Sequence, residues 1–78
     1  MDQNRIREMR KIAVDRLESI AFYAPGRDTR LRAFEALRGS AERTGEVEVV
    51  KVIKYLSREG PEDVSSTATR WLRRMEIS

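Results

Sequence analysis

Reactive side chains crowd one stretch of the chain, where Ser57, Glu59, Glu62, Asp63, Ser65 and Ser66 follow one another closely. Paired carboxylates can pass protons, and a serine beside a base can act as a nucleophile. No such base stands nearby. The sequence holds no histidine and no cysteine, which removes imidazole acid–base chemistry, thiol nucleophiles and the common zinc ligand sets together. A metal site would need carboxylates alone, and none are spaced for one. The carboxylates have a simpler reading at a helix–helix turn. Gly60 suits a left-handed helix end, Pro61 suits the first position of the next helix, and Glu62 and Asp63 oppose its positive dipole end. No phosphate loop, dinucleotide fingerprint or calcium loop occurs. The sequence therefore assigns no catalytic residue, no metal and no cofactor.

Arginine is the other residue type that carries chemistry. Lysine occurs only at 11, 51 and 54, so most of the 16 basic residues are arginine, set against 13 acidic ones for a net charge of +3. Arg70, Arg73 and Arg74 flank Trp71 and can meet phosphates or a partner surface. They also fall at a helix end, where cations complement the negative dipole. That bland role is the preferred one. Arg5, Arg7, Arg10 and Lys11 form a second basic run, diluted by Asp2, Glu8 and Asp15. Abundant charge of both signs with scarce Asn, Gln and Cys suits a heat-tolerant host, although arginine-rich coding bias yields the same picture.

The elements that position these groups follow from size and periodicity. Residues 1–78 suffice for one small domain, and 40% hydrophobic with 37% charged residues describes a folded, highly charged chain. No apolar run resembles a signal peptide or reaches membrane-spanning length, so a cytoplasmic protein is expected. A first helix is expected from about Asp2, its N-cap, to about Phe22. Ile6, Met9, Ala13, Leu17 and Ile20 form one apolar stripe, widened by Ile12, Val14 and Ala21. Phe22 and Tyr23 are expected to fold over the Ala24-Pro25-Gly26 turn. Asp28 or Thr29 then caps a second helix reaching about Arg43, with Leu31, Phe34, Leu37 and Ala41 buried.

Thr44-Gly45 breaks the chain again. Val47 to Ile53 is rich in β-branched residues and starts like an alternating strand. The alternation fails at Val49-Val50 and Val52-Ile53, whereas a helical stripe runs through Val49, Val52, Ile53 and Leu56, so a third helix is expected. A fourth spans Pro61 to about Met75, burying Val64, Ala68, Trp71, Leu72 and Met75. Gly39 weakens the second helix by roughly 1 kcal/mol relative to alanine and marks either a close helix approach or fraying.

The two halves repeat. Ala13, Val14, Leu17, Ile20 and Pro25 match Val49, Val50, Ile53, Leu56 and Pro61. Past the turn the register slips by one, and Asp28, Ala33, Leu37 and Arg38 match Asp63, Ala68, Leu72 and Arg73. The predicted fold is all-α: four helices as two stacked antiparallel hairpins, with units at roughly 2–43 and 44–76. In Pro25, Asp28, Leu31, Arg32, Ala33 and Leu37, and again in Pro61, Asp63, Val64, Ala68 and Leu72, the chain resembles the HEAT-like helical repeats. It departs from them at Ser65 and Trp71. The resemblance implies a superhelical or compact four-helix stack that binds proteins, sometimes nucleic acids, and does no catalysis. Residues 50–75 also resemble the first two helices of a winged-helix regulator, but such a domain needs a third, groove-entering helix, and the sequence given stops at Ser78.

Solenoids generally need about three units to bury a continuous core. Two units predict either a compact four-helix unit or pairing of two chains through an uncapped face. The expected function is a non-catalytic interaction or scaffold module with a protein partner or a second copy of itself. The alternative is a small nucleic-acid-binding protein using its arginine-rich helix surfaces.

Overall fold

A computed structural model describes residues 3–76. They form four helices: α1 (Gln3–Tyr23), α2 (Arg27–Thr44), α3 (Val47–Glu59) and α4 (Glu62–Arg74). No strand occurs among the described residues, so the β-branched run 47–53 is helical. Its apolar spacing outweighs its propensity, because Val49, Ile53 and Leu56 gain burial only on one helical face. The expected Asp2 cap lies outside the described residues.

Short connections fold α1 back on α2 and α3 back on α4, and the two hairpins stack through α2–α3, α2–α4 and α1–α3 contacts. α1 and α4 barely touch. The first helices of the hairpins make one layer and the second helices the other. Beyond the shared core, polar and aromatic side-chain contacts join the hairpins near the two ends of each layer. In the α1/α3 layer Arg10 bonds Glu46 at 3.0 Å, and Phe22 stacks on Tyr55 with centroids 6.1 Å apart. In the α2/α4 layer Arg30 meets Asp63 at 2.8 Å, and the Trp71 indole N–H donates to Glu42 at 3.0 Å. The residue numbers rise together in both layers, so layer-mates run parallel.

The helix ends differ in detail from the sequence expectation. Gly45 takes the left-handed conformation, φ 65°, and its N–H reaches the Ala41 carbonyl. Gly60 does not: its φ is −74°. It is needed for space instead, since a Cβ there would lie 2.6 Å from the Leu56 carbonyl oxygen. Pro61 stands just outside α4 as its N-cap rather than at its first position. Gly26 precedes α2, and neither Asp28 nor Thr29 caps it. Asp28 lies in the first turn, where its charge still opposes the dipole. Gly39 sits inside α2 with only the end of the Arg43 side chain beside it, so no helix approaches there, and α2 continues past it to Thr44.

Ala33, Phe34, Leu37 and Ala41 of α2, Val49, Ile53 and Leu56 of α3, and Val64, Ala68, Trp71 and Leu72 of α4 form the core with Ala21 of α1. Phe34, Leu37, Ile53 and Leu56 are fully enclosed, each contributing on the order of 1.5–3 kcal/mol by leaving water. Met75 was expected inside. It is exposed because α4 ends at Arg74 and the chain turns off its face.

The larger correction concerns α1. The single expected stripe divides into two. Val14, Leu17 and Ala21 pack inward, whereas Met9, Ile12, Ala13 and Ile20 face outward. At about 100° per residue the centres of the two sets lie more than a quarter turn apart. α3 has neighbours on several sides, while α1 leans chiefly on α2, so only one arc of it is covered.

Candidate interaction surface

The outward side of α1 is the most apolar exposed surface of the described residues. Met9 is 63% exposed, Ile12 57%, Ile20 40% and Tyr23 77%. Spacings of three, eight and three residues hold them along one side of a rod about 31 Å long, from 21 residues at 1.5 Å each. Arg16 lies within this strip, with Glu8 and Asp15 along one flank. Lys11 forms no ion pair with Glu8 or Asp15.

Three surface depressions draw on α1. One, of about 370 Å³, is bounded by Ile12, Asp15, Arg16, Ser19 and Ile20 of α1 alone. The first four of these are residues i, i+3, i+4 and i+7, the diamond that receives a knob side chain when helices pack. A second, of about 780 Å³, is a cleft between α1 and the start of α3. Arg7, Arg10 and Lys11 stand on one wall, Glu46 and Glu48 on the other, and Val14 and Val52 are apolar lining. Arg10–Glu46 bridges it. The third, about 230 Å³, lies between Glu18, Ser19, Phe22, Tyr23 and Tyr55. Phe22 therefore reaches across to α3 rather than folding over its own turn, and Tyr23 stays outside, 4.6 Å from Phe22 between ring centroids. Partial burial pushes the Glu18 carboxyl up from its ordinary pKa, and the negative charge of Asp15 adds to this.

Two polar clusters at the hairpin junction serve the fold. Arg30 donates to the Ala24 and Pro25 carbonyls as well as to Asp63, so one guanidinium fastens the α1–α2 turn to the start of α4. Its Nε is buried without a partner. The Arg30 bond holds the Asp63 pKa below the usual carboxylate range, with further help from the Val64 N–H. In the other cluster the Trp71 indole and then Arg38 hold Glu42 low, and Arg38 also binds Glu35. Arg30 was missed because its spacing to Asp63 becomes contact only through stacking.

The expected surface residues Arg70, Arg73 and Arg74 are all exposed in the last turns of α4, and none is in an ion pair. Within the stretch 57–66, Ser57, Asp63 and Ser65 are engaged, whereas Glu59, Glu62 and Ser66 are exposed. Ser65 donates to the Ser57 carbonyl, Ser57 to that of Lys54, and Asp63 is held by Arg30. Among the described residues no group of acidic side chains is placed to hold a metal, and no helix is long and apolar enough to cross a membrane. No family model matches the chain, and neither does any curated protein or solved structure.

Proposed function

We propose that this protein is a non-catalytic helical module that acts by recognition, and that a second copy of the chain covers the outer side of α1. The observation that carries this reading is the second apolar strip of α1, with Met9 and Ile12 more than half exposed. Surface area points the same way. The protein exposes 5801 Å², about 900 Å² more than the ~4,900 Å² expected for a monomer of 9.1 kDa. A standard interface buries about 800 Å² per partner.

Self-complementarity favours a second copy over another protein. Glu8 and Arg16 lie four residues on either side of Ile12. An antiparallel twofold at Ile12 brings each Arg16 to the height of the other copy's Glu8, and Met9 to the height of the diamond of Ile12, Asp15, Arg16 and Ser19. The internal repeat adds support: Ala13 and Ile20 of α1 correspond to Val49 and Leu56 of α3, which packing against other helices encloses. The resemblance to HEAT-like repeats, which work by stacking, agrees.

Light scattering on the eluting protein tests this. A dimeric mass is expected, falling to monomer for Ile12→Glu with helicity unchanged. Glu8→Arg or Arg16→Glu alone weakens the dimer, and the double exchange restores it. A wild-type monomer at hundreds of micromolar, or a double exchange no better than the singles, overturns the reading.

A further inference from the structure

Parallel layer-mates and antiparallel hairpins bring the start of α1, the end of α2, the start of α3 and the end of α4 to one end of the molecule. The Arg10–Glu46 and Trp71–Glu42 bonds mark that end. Half of the acidic residues described there are engaged: Glu42 by Arg38, Glu46 by Arg10 and Glu48 by Lys51. Glu8, Asp15 and Glu76 form no ion pair, and Asp15 borders the cleft with Arg7, Arg10 and Lys11. On the basic side Arg5, Arg7, Lys11, Arg43, Arg70 and Arg73 are exposed and form no ion pair, and Arg74 stands beside them. The opposite end carries Glu18, Asp28, Glu59, Glu62 and Asp63 and has no such excess.

Stability of the fold does not account for this arrangement. Arg73 and Arg74 complement the dipole at the end of α4. Arg5 does the reverse, since it lies in the first turn of α1, which has no acidic residue and whose positive dipole end repels it, and Arg7 follows one position beyond that turn. We propose that this end binds the phosphate backbone of a nucleic-acid duplex without reading its bases. Arginine forks match phosphate oxygens in two-bonded geometry. The basic groups come from three helix ends across both layers of a slab 30 Å by 17 Å in its lesser extents. Phosphates flanking a groove about 12 Å wide offer charge over such a breadth, as one acidic peptide segment does not. Base stacking has no platform there, because Trp71 is buried and Tyr23 and Tyr55 lie towards the far end. This inference rests on charge placement and stands independently of the α1 pairing.

The test is a titration of a labelled mixed-sequence DNA duplex by fluorescence anisotropy across salt concentrations. Wild-type protein is expected to bind at low salt, with affinity falling steeply as salt rises. R70Q/R73Q/R74Q and R5Q/R7Q/K11Q, on different helices, each weaken binding at least tenfold and flatten the salt dependence. R27Q/R32Q/R58Q removes the same charge from the far end and stays within threefold of wild type. Far-ultraviolet circular dichroism checks that each variant remains helical, and the single substitutions R7Q and R70Q carry the test should a triple variant unfold. Absence of binding at 50 mM salt overturns the proposal. So does an equal loss in the far-end variant, or displacement of the duplex by polyglutamate at equal charge concentration, which would assign the surface to an acidic protein.

Discussion

Trp71 and Arg30 each fill a place that no other side chain of the chain could take. Trp71 is buried along its ring and spends its one donor on Glu42 at the edge of the core. Trp71→Ala is expected to cost about 3–5 kcal/mol, read as a fall in the denaturant midpoint; Trp71→Phe keeps most of the packing and should cost much less. Arg30 reaches two carbonyls and a carboxylate that belong to different hairpins. Lysine, with a compact charge and no planar fork, cannot satisfy them together. Both clusters set a pH dependence. Asp63 and Glu42 titrate below their unfolded values, so their contribution is complete above about pH 5 and drains away as pH falls through the lowered folded values. Glu18 is shifted upward and works in the opposite sense, easing slightly on protonation. Thermal melts followed by circular dichroism should therefore show the melting temperature dropping between pH 5 and pH 2. Asp63→Asn should flatten that drop, and an unchanged slope would remove the Arg30 linkage as its source.

At the level of elements, the apolar spacing decided helix type and the caps decided helix length. Glycine shows how position governs sign. Gly39 lies within α2, and a Cβ there would meet only the flexible end of Arg43, at 3.2 Å. Gly39→Ala should stabilise by about 0.5–1 kcal/mol. Gly45 ends the same helix at positive φ, so Gly45→Ala should destabilise by about 1 kcal/mol or more. Opposite shifts in melting temperature are the expected result; shifts of one sign would mean that the end of α2 is assigned wrongly. Proline and glycine turns were legible in the sequence to within a residue or two. The cap at Gly26 and the extended backbone at Gly60 were not, because capping depends on where the neighbouring helix carries the chain.

The whole molecule is a flat stack, 39 × 30 × 17 Å. Its radius of gyration, 12.4 Å, exceeds the ~11.5 Å of a compact chain of this length. Flatness leaves α1 covered on one side and gathers four helix ends into one basic surface. The absence of native cysteine makes the proposed pairing easy to trap. Ile12→Cys should yield an intermolecular disulfide under mild oxidation at low concentration, because only close and correctly directed cysteines can bridge. Ser66→Cys on α4, exposed and remote from α1, should not. Equal crosslinking of the two would count against a specific twofold.

By itself the sequence determined the helical class, the four segments, the doubled hairpin and most of the buried positions of α2, α3 and α4. Those features come from local periodicity and turn chemistry, which act over a few residues. Tertiary structure alone decided which arc of α1 faces inward, that Arg30 links the hairpins, and that basic residues far apart in sequence share one end. Each of these depends on how two rigid hairpins lie against each other, and a helix with two apolar arcs does not record which one its neighbour will cover.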